Sequence, residues 1–203
     1  MCLDENNVVQ ESFGNKPSLF KEIVGKIFMS LYLEKFETIR KVKNKILHKE
    51  KPQEVGWVGG ACAVIRRDLW DKLGGLDSTY FFSNGDMIDF CYKAIQLGYK
   101  VIYYPLVSII HKGSRSVTKN LNSRIIGLKS SYLGTLYLFK NHKKGIFYLY
   151  LTKITFIIIS FLKGILGLFL GLFKKNFKEL GLSHLIVVIK YFFENDFIKL
   201  CQK

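Results

Sequence analysis

The stretch DMIDFCYKAIQLGYKVIYYPLVSIIHKGS, residues 86–114, carries a helix pattern, two strand patterns, two acids and a histidine in a single run. Ile88, Cys91, Tyr92 and Ile95 recur at the spacing of one helix face, and Gly98 ends the pattern. A helix over residues 86–97 is therefore expected. Asp86 and Asp89 fall near its start, where the helix dipole favours negative charge. YKVIYYP then reads as a buried strand closed by Pro105, and LVSIIH as a second strand that delivers His111 to its end. A helix followed by strands in this order makes the region mixed α/β.

Two carboxylates at a helix start with a histidine beyond two strands suit a metal-assisted transfer. A carboxylate can take the proton of an attacking hydroxyl, and an imidazole can hold a divalent cation on a diphosphate leaving group. The same residues also have a purely structural reading. First-turn acids are favoured by the dipole alone, and a strand-end histidine is commonly a hydrogen-bonded surface group. Spacing does not decide between the two.

Working outward, EVGWVGGACAVIRRDLWDKLGGLD predicts a β-rich run over residues 55–65, broken at Gly59 and Gly60, and then a short helix from Asp68 closed by Gly74 and Gly75. Glycines inside a strand pattern mark a bulge or a close approach by a ligand or another backbone. Before this run, Leu19, Ile23, Ile27 and Leu31 predict an amphipathic helix, and the charge-rich segment that follows it ends at Pro52. Residues 1–15 read as a short extended piece around Val8 and Val9.

With 203 residues, 49% of them hydrophobic and 15% aromatic, the chain can bury a core and is not of disordered composition. Its net charge of +15 is uneven, since residues 112–203 hold 16 Lys/Arg against 3 Asp/Glu. These basic residues flank long aliphatic runs, which points to an anionic membrane surface and away from nucleic acid. Cys2, Cys62, Cys91 and Cys201 show neither a zinc-site spacing nor a disulfide framework. The opening MCLDENNVVQES lacks the basic and apolar regions of a secretory signal, so a cytoplasmic compartment is expected.

Beyond Val117 the pattern is helical. One helix is expected over residues 118–140 and another over 147–173, the latter containing ITFIIISFLKGILGLFLGLF. Ser160, Lys163, Gly164, Gly167, Gly171 and Lys174 form one stripe opposite Ile158, Phe161, Leu162, Ile165, Phe169 and Leu172. The expectation is an interfacial helix with Lys163 reaching head groups, because a mid-helix lysine is costly in an isolated span. A basic, apolar helical tail over 118–203 would then hold a first domain over 1–117 peripherally at the cytoplasmic face of the membrane.

The succession WVGGACAVIRRDLWDKLGGLDSTYFF, DMIDFCYKAIQLGYKVIYYP and IIHKGSRS resembles the second half of a family-2 glycosyltransferase of the rhamnosyltransferase-like kind. The resemblance covers about residues 1–145. It implies a partial GT-A sheet with flanking helices and transfer of a rhamnose-like sugar from a nucleotide-sugar donor to a surface glycan or glycolipid acceptor. Under it, Trp57, Gly59, Gly60 and Ala61 line the donor and acceptor pocket, and Lys112, Ser114 and Arg115 help to hold the diphosphate. His111 takes the position of a ligand to Mg²⁺ or Mn²⁺. Asp86 and Asp89 are the candidate catalytic acids, while Arg66, Arg67 and Asp77 secure the local fold.

Two departures from the family pattern follow. Matching Asp89, Phe90 and Cys91 to the family's Asp-Leu-Cys puts Met87 where the catalytic base stands, leaving Asp86 as its substitute. The Asp-x-Asp metal motif and the nucleotide-binding strands that precede this region in the family are missing from the sequence. The resemblance therefore implies a C-terminal portion, from a truncated gene, a split protein or a misassigned start, that is inactive alone, with a complementary chain as one candidate partner. The competing expectations are a non-catalytic membrane-associated scaffold of the same ancestry, and a small integral membrane protein in which Lys163 finds a partner.

Overall fold

The computed structural model describes residues 1–16, 18, 20, 45, 47–80, 85–112, 120–142, 144–173 and 175–193. The amphipathic helix expected through Leu19, Ile23, Ile27 and Leu31 lies outside them, as do Ser114, Arg115, Lys174 and Cys201. The chain divides into two compact units, Met1–Thr79 with Gly85–Gly113, and Tyr80–Asn84 with Ser114–Lys203.

The first unit is mixed α/β. It contains strands β1 (Cys2–Leu3), β2 (Phe13–Gly14), β3 (Gln53–Glu54) and β4 (Trp57–Val58), then helices α1 (Arg67–Leu73) and α2 (Asp86–Gln96), then strands β5 (Ile102–Tyr103) and β6 (Ile109–Ile110). The strands pair two by two. β1 runs parallel to β6, while β2–β4 and β3–β5 are antiparallel. The run expected as strand over 55–65 keeps only Trp57–Val58 in a ladder. Beyond it Gly60 and Ala61 turn the chain outward, and Val64 is fully exposed.

Both helices end where glycine permits a left-handed residue. Gly74, at φ 74°, closes α1, and Gly98, at φ 85°, follows α2. Their facing sides bury Leu69, Phe90 and Ala94, with Ile65, Trp70, Leu73, Leu76 and Tyr99 packed around them. Arg66 forks onto Asp68 and holds its carboxyl below the usual range, and Arg67 pairs with Asp71 at 2.9 Å. Asp77 accepts from the Thr79 amide at 2.9 Å.

The described helices of the second unit are α3 (Leu121–Asn141), α4 (Ile146–Gly171) and α5 (Lys175–Phe193). Asn120 and Ser123 form a reciprocal capping box that starts α3. The core is Ile125, Tyr132, Leu136, Phe139, Leu149, Phe156 and Val187, with the Tyr132 and Phe156 rings stacked at 4.9 Å.

Here the structure corrects one part of the expectation for residues 147–173, that Lys163 reaches outward to head groups. The small and polar stripe does not face outward: Ser160 is 1% and Lys163 3% exposed, and Gly164 and Gly167 are buried as well. The reason is steric. A Cβ added at Gly181 would stand 2.6 Å from the Leu168 amide nitrogen, and one at Gly171 would stand 2.7 Å from Lys178 Cα. Only glycine lets the α4 and α5 backbones approach so closely, so the stripe becomes a helix–helix seam. Ser160 Oγ meets the Tyr132 hydroxyl from α3 and lies 3.3 Å from His184 Nδ1 of α5.

Candidate functional site

Apart from Ser114 and Arg115, which lie outside the described residues, the site residues singled out from the sequence lie in two groups within the first unit. The first is the glycine segment against the start of α2. Antiparallel pairing sets Phe13 opposite Val58 and Gly14 opposite Trp57, and the indole lies directly over Gly14, where a Cβ would stand 2.7 Å from Nε1. The Gly59 amide donates to the Ser12 carbonyl at 2.7 Å, continuing the pairing one step past the strand. A Cβ on Gly60 would meet Met87 Cε at 3.6 Å, so this segment and the N-terminal turn of α2 pack face to face. Ala61 is exposed at the turn beyond.

Gly85, at φ 116°, turns the chain into α2. Asp86 Oδ1 accepts from the Met87 amide at 2.8 Å, which satisfies one of the free donors of the helix N-terminus. Its side chain is half-buried, with exposure left for a second partner. Asp89 stands one turn on, in different surroundings. It is 1% exposed and its Oδ2 lies 2.5 Å from Lys93 Nζ, an i, i+4 ion pair on the helix. Cys91 is buried on the same helix, and burial pushes its thiol pKa up against the counter-effect of the Val58 backbone. Asp86 thus keeps a partly accessible carboxylate, whereas Asp89 is built into the packing.

The second group is centred on His111, exposed at the end of β6. Parallel pairing with β1 lets its amide donate to the Leu3 carbonyl at 2.8 Å. The Gln10 side chain bonds it twice: Nε2 donates to the His111 carbonyl at 2.8 Å, and Oε1 faces Nδ1 at 2.8 Å. With the amide oriented by the first bond, Oε1 can only accept, so neutral His111 carries its proton on Nδ1 and presents a lone pair on Nε2. Metal-binding imidazoles are commonly set in this way by a second partner. Lys112 is exposed, 4.0 Å from Glu5.

Among the described residues no hydrogen bond or ion pair joins Asp86 to His111. Among the described residues, likewise, no group of three or more His, Cys, Asp or Glu gathers around a possible metal position. His111 fits one ligand position for a divalent cation, and further ligands would have to come from elsewhere. Sequence reasoning passed over Gln10 and Ser12, which fix His111 and Gly59. Gln10 lies 101 residues from His111, beyond any local pattern, and only the parallel β1–β6 pairing brings them together.

No family model matches the chain, and no solved structure does. The chain is similar to the N-acetylglucosaminyl-diphospho-decaprenol L-rhamnosyltransferase of Mycobacterium tuberculosis, in two strains. It is 29% identical over 85 residues, which are 41% of this chain and 27% of each relative. The match thus spans about a quarter of the length of these curated relatives and supports a glycosyltransferase-like relationship.

Proposed function

We propose that this chain carries the acceptor-side portion of a GT-A glycosyltransferase of family 2, moving a rhamnose-like sugar from a nucleotide donor to a glycan or glycolipid acceptor. The observation that carries this reading is the similarity to a rhamnosyltransferase, together with a glycine segment packed against an acid-bearing helix start. Trp57, Gly59, Gly60 and Ala61 form the wall of the sugar pocket. Asp86 takes the proton of the acceptor hydroxyl, the acceptor oxygen forms its bond to the sugar C1, and the C1–O bond to the nucleoside diphosphate breaks with its electron pair leaving on the diphosphate. Met87 beside Gly60 cannot accept a proton, so Asp86 performs this step one residue from the family's position and at reduced rate.

A divalent cation, Mg²⁺ or Mn²⁺, would neutralise charge on the departing diphosphate. His111 Nε2 is the atom this chain offers it, with Lys112, Ser114 and Arg115 nearby in sequence. The nucleotide itself is held by a complementary segment, in the same or a separate polypeptide. The second unit, whose described residues include one helix long and apolar enough to cross a membrane, keeps the reaction at the cytoplasmic face of the cell membrane.

The test is transfer of labelled rhamnose from its nucleoside-diphosphate donor to a polyprenyl-diphosphate N-acetylglucosamine acceptor. It uses membranes from cells with and without the chain. Transfer should require the chain, and Asp86→Asn should fail to restore it. Equal transfer in membranes lacking the chain would overturn the proposal. Met87 at the base position favours a second reading, a non-catalytic scaffold for a partner chain, and full restoration by Asp86→Asn would select it.

A further inference from the structure

We propose that α4 is a lipid-embedded keel. Its outward face lies in the acyl layer of one leaflet, parallel to the membrane plane, while α3 and α5 cover its polar side. This rests on the membrane attachment proposed above but not on sugar transfer. The observation is an inverted helix. A water-exposed helix hides its apolar stripe and shows its polar one. α4 does the opposite, burying Thr152, Ser160 and Lys163 while Ile154, Ile158, Phe161, Leu162, Ile165 and Phe169 are each at least 50% exposed. Only 33% of its most apolar stretch is buried within the protein, unlike the core helix of a soluble domain.

The outward face carries no charge along its whole length. The two lysines of α4 are Lys153, half-buried at its side, and Lys163, in the seam. An uncharged apolar face at least ~30 Å long far exceeds the scattered apolar residues of an ordinary surface. Charge complementarity selects its occupant. Lys144, Lys178 and Lys190 are exposed around the helices, and residues 112–203 are strongly basic, as an anionic head-group layer requires. A second copy of so basic a unit would bring like charges together.

The orientation follows from α3. That helix carries Arg124, Lys129 and Lys140 and packs with α4 through the shared core of Tyr132, Leu136 and Phe156. A crossing α4 with α3 beside it would carry Lys129, two turns inside α3, into the hydrocarbon, whereas an in-plane α4 leaves it in the head-group region.

The experiment places single tryptophans at Ile154, Phe161 and Phe169 of the full chain. Their quenching is read in anionic vesicles with bromines at shallow or deep acyl positions, after subtraction of the signal from Trp57 and Trp70. Equal quenching of all three by shallow bromines is expected. A depth maximum at Phe161 with shallow ends would show a crossing helix and overturn the in-plane placement. No quenching, with a sedimentation mass of two copies, would show that a second chain covers the face and overturn it outright. Phe161→Asp with Phe169→Asp, both exposed and so compatible with folding, should lower the vesicle-bound fraction at least about tenfold. Unchanged binding with unchanged circular dichroism would also overturn it.

Discussion

Gln10 Oε1 lies 2.8 Å from His111 Nδ1, and the same amide donates through Nε2 to the His111 carbonyl at 2.8 Å. The two bonds hold one imidazole from both its ring and its backbone. Nitrogen NMR of the neutral ring should therefore find the proton on Nδ1, and Gln10→Leu should release it to a mixture of tautomers. A dominant Nε2–H form in the parent protein would contradict the assigned role of Gln10.

Asp89 and Lys93 give a prediction about folding. The carboxylate is 1% exposed, while the lysine side chain retains 38% exposure. Lys93→Met leaves Asp89 buried without its cation and should destabilise the first unit by about 3 kcal/mol. Asp89→Asn should cost less, because Lys93 can turn to water. Urea unfolding monitored by tryptophan emission reads both, and the reverse order of costs would count against this account.

The helix seam gives a steric prediction. Gly181→Ala puts a methyl 2.6 Å from the Leu168 amide nitrogen and 2.8 Å from the Gly164 carbonyl oxygen, backbone atoms that cannot swing aside. A loss of about 1–3 kcal/mol is expected. Gly145→Ala, with nothing within 4 Å, serves as the control and should change stability by less than about 1 kcal/mol, since it loses a favoured N-cap but also unfolded-chain freedom. Thermal melts in vesicles or mild detergent would measure the difference.

His184 makes the second unit sensitive to acid. Burial, with Lys163 nearby, lowers its pKa from 6.5 to about 4. The unfolded chain binds a proton there more readily than the folded one, so stability is full above pH 6.5 and declines as pH falls toward 4. The loss should approach ~3 kcal/mol across that window. His184→Gln should flatten the profile between pH 6.5 and 4, and an unchanged slope in that variant would assign the acid sensitivity to another group.

Nucleotide recognition gives the last prediction. No Asp-x-Asp triplet occurs in the 203 residues, and under the proposal above the nucleotide is held by a complementary segment, so the chain by itself should not bind UDP- or dTDP-sugars with Mn²⁺ in calorimetry. Micromolar binding would show that the residues here suffice for the donor and would end the proposal of a complementary segment.

Local signals in the sequence determined where α1 and α2 end. Gly74 and Gly98 supply the left-handed residues that stop α1 and stand after α2, and the apolar period through Ile88, Cys91 and Ile95 marked the span of α2 within a residue. Strand lengths were less legible, because a ladder needs a partner. The run from Val55 to Ile65 has strand composition throughout, but pairing with Phe13 and Gly14 reaches only Trp57 and Val58. Periodicity also revealed that α4 has a small, polar stripe and an apolar one, without revealing what each stripe meets. Tertiary packing decided that, because glycines at 164, 167 and 181 allow two backbones into contact and so turn Lys163 inward and Phe161 outward. The same limit hid Gln10: a hydrogen bond across 101 residues depends on which strands pair, and pairing is a property of the whole chain.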